Sequence, residues 1–267
     1  MPETVNRNYT NPAMSLKRAR ETAQTVGASS DYAGFVEGVR RMYPWMFERP
    51  AQVVDRDYLR VVDHHLEHLL PQIQRYIGPA TRRVLDFGCG SGGSAIALVM
   101  VYPELSCSGT DIDEGAVEVA RRRAKLYGVE DRCEFHCVSE GAPLPFANSS
   151  FDFCQCSSVL EYCVAPEVRS FCIGEMVRLV GPQGLLFFSV PNRLYPFEIH
   201  TRKWGWNYFP KWLDARTVDS SFWEVRKLAL PNVLTLHRTP LMQLVRPWTN
   251  FCVKKEAAAA NPSALDE

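Results

Sequence analysis

Residues 84 to 93, Val-Leu-Asp-Phe-Gly-Cys-Gly-Ser-Gly-Gly, set an apolar strand hard against a glycine-rich turn, and the apolar run Ala95 to Val101 follows at once. A strand that turns directly into a helix commits the chain to a βα unit. Glycine at such a turn permits φ values barred to other residues and lets a ligand touch the main chain. A ligand therefore belongs here. Gly88, Gly90 and Gly93 also satisfy the G-x-G-x-x-G spacing of dinucleotide-binding turns. Asp86 separates the two readings, because a carboxylate two residues before the first glycine would repel a pyrophosphate but can orient the ammonium group of an amino-acid ligand. The expected ligand carries a positive charge, and a nicotinamide-dependent oxidoreductase is disfavoured.

From Arg82 onward strand and helix patterns alternate, which is the signature of βαβ units and a parallel sheet. The alternation predicts strands near 83–87, 105–110, 132–138, 151–156 and 183–190, with helices near 92–102, 114–127 and 165–179. Two further strands are expected near 221–229 and 249–255. Upstream, residues 31 to 77 carry two helical patterns, the second with Leu59, Val62, Leu66, Leu69 and Ile73 at helical spacing. His64 and His68 lie one turn apart on that helix. Glu67 does not stand directly after the first histidine, as the zinc-protease pattern requires, so a solvated or satisfied helix face is expected and no metal.

At 267 residues the chain suits one α/β domain over 31–255, between a polar, flexible arm over 1–30 and a flexible tail over 256–267. Both ends are expected to be dispensable for the core. The 30 basic and 30 acidic side chains cancel, so the charge offers no long-range attraction for a phosphate backbone, and nucleic acid is disfavoured as a partner. The run Arg121 to Arg123 reads as a solvated helix face. No apolar stretch approaches the roughly 18 residues that span a bilayer, and the first residues resemble no secretory signal. Nine cysteines in segments that read as buried elements fit a reducing compartment, here the cytoplasm, and Cys154 and Cys156 read as structural rather than as a soft-metal site.

The motif Asp86-x-Gly88-x-Gly90-x-Gly92 resembles the first motif of the class I S-adenosylmethionine-dependent methyltransferase superfamily, in its small-molecule type, and the resemblance runs in order from about residue 50 to 255. It implies a Rossmann-like fold with a mainly parallel seven-stranded sheet, S-adenosyl-L-methionine as cofactor and S-adenosyl-L-homocysteine as product. Asp111, at the tip of the second strand, is placed to accept both ribose hydroxyls. The resemblance sets Ile112 against the adenine ring, and the plain alternative, that Asp111 or Asp113 merely caps the helix running from Glu114, holds for Asp113. Ser139 to Phe146 resembles the family's acidic loop, where Glu140, beside Gly141, stands in place of the usual Asp and can accept from the adenine amino group. Phe151-Asp152 opens a strand that resembles the family's fourth, and Ser157 faces the methionine part of the cofactor. Tyr162 stands where the family often has His. The Asn-Pro-Pro-aromatic signature of nucleobase-amine methylation is missing.

A sulfonium methyl group is already activated, so transfer needs an in-line nucleophile, removal of its proton if it has one, and exclusion of water. Residues 191 to 220 form an aromatic-rich cap at the carboxyl end of the fifth strand, with three of the six tryptophans. His200 is the candidate general base, since histidine titrates near neutral pH. Glu198 and Tyr162 are the alternatives. Partners are then a small-molecule acceptor, with no membrane span, and a homodimer is admissible. A reading from another class stands beside this one: a cofactor-binding regulatory or scaffold protein that transfers no methyl group.

Overall fold

The computed structural model describes residues 12–163, 165–192, 195–198, 203–205, 234–237 and 248–256. The chain divides into two compact units, Met1–Ala142 and Pro143–Glu267.

The first unit opens with α1 (Pro12–Gly27) and α2 (Ser30–Met42). Part of the stretch expected as a polar arm is therefore helical. Ala19 and Ala23, one turn apart, are 3% and 0% exposed, and Arg20 Nη2 donates to the Leu66 carbonyl at 3.3 Å. Small side chains allow this close packing without the apolar periodicity that sequence reading depends on. Ser29 caps α2 by accepting the Tyr32 N–H at 3.1 Å. A short 3-10 turn, Pro44–Phe47, leads into α3 (Ala51–Val54), α4 (Val61–His64) and α5 (Leu70–Ile73), interleaved with π turns at Asp55–Leu59 and His65–Leu69. The apolar stripe expected here is buried at Val62, Leu66, Leu69 and Ile73.

Three βα steps follow: β1 (Arg83–Phe87), α6 (Gly93–Val101), β2 (Ser106–Asp111), α7 (Glu114–Leu126) and β3 (Cys133–Cys137). The strands are parallel in the order β3-β2-β1, and Phe87 of β1 pairs with Thr110 of β2. That register puts the ends of β1 and β2 side by side, so the turn after one meets the tip of the other. In α6 every residue but Met100 is buried, as its nearly unbroken apolar sequence requires. Asp113 caps α7, its Oδ1 accepting the Ala116 N–H at 3.1 Å.

The basic run on α7 departs from the expected solvated face. Arg121 donates to the Phe135 carbonyl, Arg122 pairs with Glu118 at 2.7 Å, and Arg123 is 0% exposed. Arg123 shares the inner face of the helix with Val119, Ala120 and Ala124.

The second unit holds β4 (Phe151–Ser157), α8 (Pro166–Leu179), β5 (Val180–Pro191), a two-stranded pair β6 (Phe197–Glu198) and β7 (Lys203–Trp204), then β8 (Leu234–His237) and β9 (Trp248–Lys255). The order is β4-β5-β9-β8, with β4 and β5 parallel and β9 antiparallel to both its neighbours. Phe153, Phe187, Phe188 and Phe251 are buried, and the last two stack with centroids 5.3 Å apart. The first unit thus has three parallel strands with helices between them, and the second has a parallel pair extended by two antiparallel strands, the elements of a Rossmann-like class I fold. The strand expected near 221–229 lies outside the described residues, whereas β8, only four residues long, was not expected. Among the described residues no helix is long and apolar enough to cross a membrane.

Candidate cofactor site

Four peptide N–H groups of the turn after β1 are tied down. Gly88 N–H and Cys89 N–H both donate to the Thr110 carbonyl, at 2.8 and 2.9 Å, and Gly92 N–H donates to the Cys89 carbonyl at 2.9 Å. Gly90 N–H donates to Asp111 Oδ2 at 2.7 Å. Such a course needs left-handed backbone three times in five residues, with φ of 73° at Gly88, 50° at Gly90 and 81° at Gly92. Only glycine takes these values without strain. A Cβ on Gly90 would meet nothing within 4 Å, so the space above it is open for a ligand.

The two carboxylates differ in setting. Asp86 is 2% exposed and its Oδ2 accepts the Ser94 hydroxyl from the first turn of α6. Asp111 is half-buried, and each of its oxygens accepts one backbone N–H, Oδ2 from Gly90 and Oδ1 from Asp113 at 3.0 Å. A carboxylate oxygen has two acceptor sites, so each retains one for an incoming hydroxyl, the arrangement a vicinal diol requires. Both carboxylates make the turn electronegative. The buried Cys89 thiol between them is pushed well up, first by burial and then by the charges of Asp86 and Asp111. That field favours a cationic ligand and opposes a pyrophosphate.

Ile112, directly after Asp111, is 62% exposed, so its apolar side chain is open to contact from outside the fold. Glu140 and Gly141 stand exposed beyond β3, where Gly141 has φ 72° and Ala142 N–H closes a turn on the Ser139 carbonyl at 3.2 Å. In this unit the structure thus brings Asp86, Gly88, Gly90, Gly92, Asp111 and Ile112 to the ends of two adjacent strands. These residues fit an adenosyl ligand with a charged amino-acid end.

In the second unit Ser157 ends β4, half-buried and paired with Ser189 of β5. Tyr162 lies in the following turn, its N–H donating to the Val159 carbonyl at 2.9 Å and its side chain 67% exposed. Glu198 is in β6, opposite Lys203 of β7. His200 lies outside the described residues, as does the cap from 206 to 220.

Sequence reasoning missed Ser94, Thr110 and Arg123. Thr110 acts through its carbonyl, which leaves no signal in the sequence. Arg123 had one: it falls on the Val119, Ala120, Ala124 face of α7 by helical spacing. A cavity of about 460 Å³ lies among α1, α2 and residues 55–68, with Asp63, His64, Glu67 and His68 in its wall and none of the turn residues. The His64 and His68 rings are 4.6 Å apart there, and His68 is exposed, as expected of a solvated or satisfied helix face. Among the described residues no group of three or more His, Cys, Asp or Glu side chains is placed to hold a metal ion.

Residues 84–184 match a family described as a methyltransferase domain. The chain is 28% identical over 191 residues to 24-methylenesterol C-methyltransferase 2 of Oryza sativa subsp. japonica, covering 68% of this chain and 50% of that protein. It spans half or less of the length of the first curated relatives it matches. A SAM-dependent methyltransferase of Methanosarcina mazei has a similar structure, with a TM-score of 0.56 and 19% identity over 70% of this chain and 98% of that one. The cyclase SpnF is similar with a TM-score of 0.54 and 15% identity, over 78% and 83% of the two chains. At these identities the likeness is one of fold.

Proposed function

We propose that this chain, a member of the class I S-adenosylmethionine-dependent methyltransferase superfamily, binds S-adenosylmethionine at the turn Gly88–Gly92 and methylates an O, N or C atom of a small-molecule acceptor. The observation that carries the proposal is the Asp111 carboxylate, held by two backbone N–H groups with one acceptor site free on each oxygen. Asp111 takes the ribose diol, Asp86 orients the ammonium group, and Ile112 covers the adenine. Glu140 and Gly141 border the adenine amino group, and Ser157 the methionine chain. When bound, S-adenosylmethionine supplies an activated methyl group, and S-adenosylhomocysteine is the product. The chain's own part is then to position the acceptor and exclude water. Where the acceptor atom carries a proton, His200, Glu198 and Tyr162 are the candidates to remove it.

A small-molecule acceptor agrees with the balanced charge of the chain and with the name of the rice relative, which is a sterol C-methyltransferase. SpnF, named a cyclase, has a similar fold, so the fold alone does not fix the reaction. Calorimetric titration with S-adenosylmethionine, S-adenosylhomocysteine and NAD, on the wild type and Asp111→Ala, tests the cofactor. Micromolar binding of both adenosyl ligands, lost in the variant and absent for NAD, is expected. Transfer of a labelled methyl group to sterols, phenols, amines and carboxylic acids then tests turnover. Binding without transfer to any acceptor class would favour the regulatory reading.

A further inference from the structure

Arg123 is fully buried on α7, far along the helix from the capping Asp113. Its Nη1 donates to the Ser91 carbonyl inside the glycine turn, and its Nη2 donates to the Tyr58 carbonyl in the π turn Asp55–Leu59. The guanidinium lies 5.3 Å from the centroid of the Phe35 ring on α2. Among the described residues its remaining electrostatic neighbours are the phenols of Tyr32 and Tyr127, with no carboxylate, and burial draws its pKa down to about 10. A buried cation without a counter-charge is expensive to keep, and removal of a carbonyl partner would make it more so.

What the charge holds is two main-chain carbonyls on segments distant in sequence. The Ser91–Gly92 peptide is a rigid plane, and it is fixed at both ends, its carbonyl by Arg123 and its N–H by Cys89. The same N-terminal segment closes on the site at two further glycines. A Cβ on Gly93 would lie 2.5 Å from Val61 and 2.7 Å from His65, and one on Gly115 would lie 2.9 Å from the Tyr43 ring.

We infer that Arg123 is a positioning residue that couples the seating of residues 55–65 to the shape of the cofactor turn, so that cofactor binding and order in that segment rise together. The inference rests on the proposed function of the turn. Linkage makes the coupling reciprocal: if the seated segment favours binding, the ligand must favour seating.

The test uses the full chain, titrated with S-adenosylhomocysteine and followed by amide hydrogen exchange. In the wild type the ligand is expected to slow exchange at residues 58–65 as well as at 90–96. Arg123→Met is expected to weaken binding by about tenfold, about 1.4 kcal/mol, and to confine the protection to 90–96. Arg123→Lys should recover part of the affinity, because one ammonium reaches only one of the two carbonyls. Wild-type affinity in Arg123→Met, or wild-type exchange at 58–65 unchanged by ligand, overturns the inference. The wild-type exchange decides the matter alone should Arg123→Met not fold. A wild type that binds no S-adenosylhomocysteine is a different result: it removes the proposed function, and this inference with it.

Discussion

The Asp111 carboxylate holds the Gly90 N–H at 2.7 Å, so the tip of β2 fixes the shape of the turn that follows β1. Asp111→Asn replaces one acceptor with an amide donor beside an N–H. A hydrogen bond to a charged group contributes about 1.5–3 kcal/mol, so affinity for S-adenosylhomocysteine should fall roughly tenfold to hundredfold. Calorimetric titration measures this, and an unchanged dissociation constant would remove Asp111 from the site.

Gly92 and Gly90 separate two costs of the same substitution. At Gly92, φ is 81° and an added Cβ would lie 2.8 Å from Ala120 Cβ and 2.9 Å from the Phe135 ring. Gly92→Ala should destabilise by about 2–4 kcal/mol, the sum of backbone strain and overpacking. Gly90, with φ 50° and no neighbour, should cost only about 1 kcal/mol as Ala. Its methyl group is expected instead to crowd the adenosyl ligand at the proposed site. Urea unfolding of both variants checks the order, and equal losses would contradict it.

Ile112 contributes little to folding because it is exposed. Ile112→Ala should leave stability within about 0.5 kcal/mol. Loss of apolar cover on the adenine should nevertheless weaken S-adenosylmethionine binding several-fold, about 1 kcal/mol. Parallel melting and titration of the variant would reveal whether the two properties separate in this way.

Acid sensitivity is expected in the second unit. Arg178 grips Glu175 through Nε at 2.8 Å and Nη2 at 2.7 Å, and the Leu144 N–H donates to the same carboxylate at 2.9 Å. The Arg178 hydrogen bonds, outweighing burial and aided by Leu144, hold the Glu175 carboxyl below its ordinary 4.5. A depressed folded pKa means that this stabilisation is complete above pH 4.5 and is lost as the pH falls through the lower, folded value. Glu175→Gln should cost about 1–3 kcal/mol at neutral pH and show a shallower decline below pH 4.5. Denaturant titrations at several pH values would test both; parallel acid profiles for the two proteins would count against the assignment.

The βα core was legible because its apolar runs are long and its turn residues admit few conformations. Asp86, Gly88, Gly90 and Asp111 were singled out as candidates through chemistry that only side chains or their absence can express, and the structure brings them to the ends of β1 and β2. Ala19 and Ala23 escaped notice because a helix that docks through alanine carries no apolar period. Arg123 was hidden by its neighbours, since a run of three arginines reads as one surface while the helix turns the third inward. The π turns at 55–59 and 65–69 shift side chains without a residue type that announces them.

All nine cysteines are free and seven of them are buried. Burial pushes the Cys133 thiol up to about 12, and the Cys252 thiol higher still, so within the folded chain they are inert. Opening the protein releases all of them together, at ordinary acidity, into whatever oxidant is present. In air a chain held open near its melting temperature would crosslink over time, and a melting midpoint is then expected to move with the heating rate. The lifetime of the fold is thus set jointly by its packing and by the redox poise of its solvent.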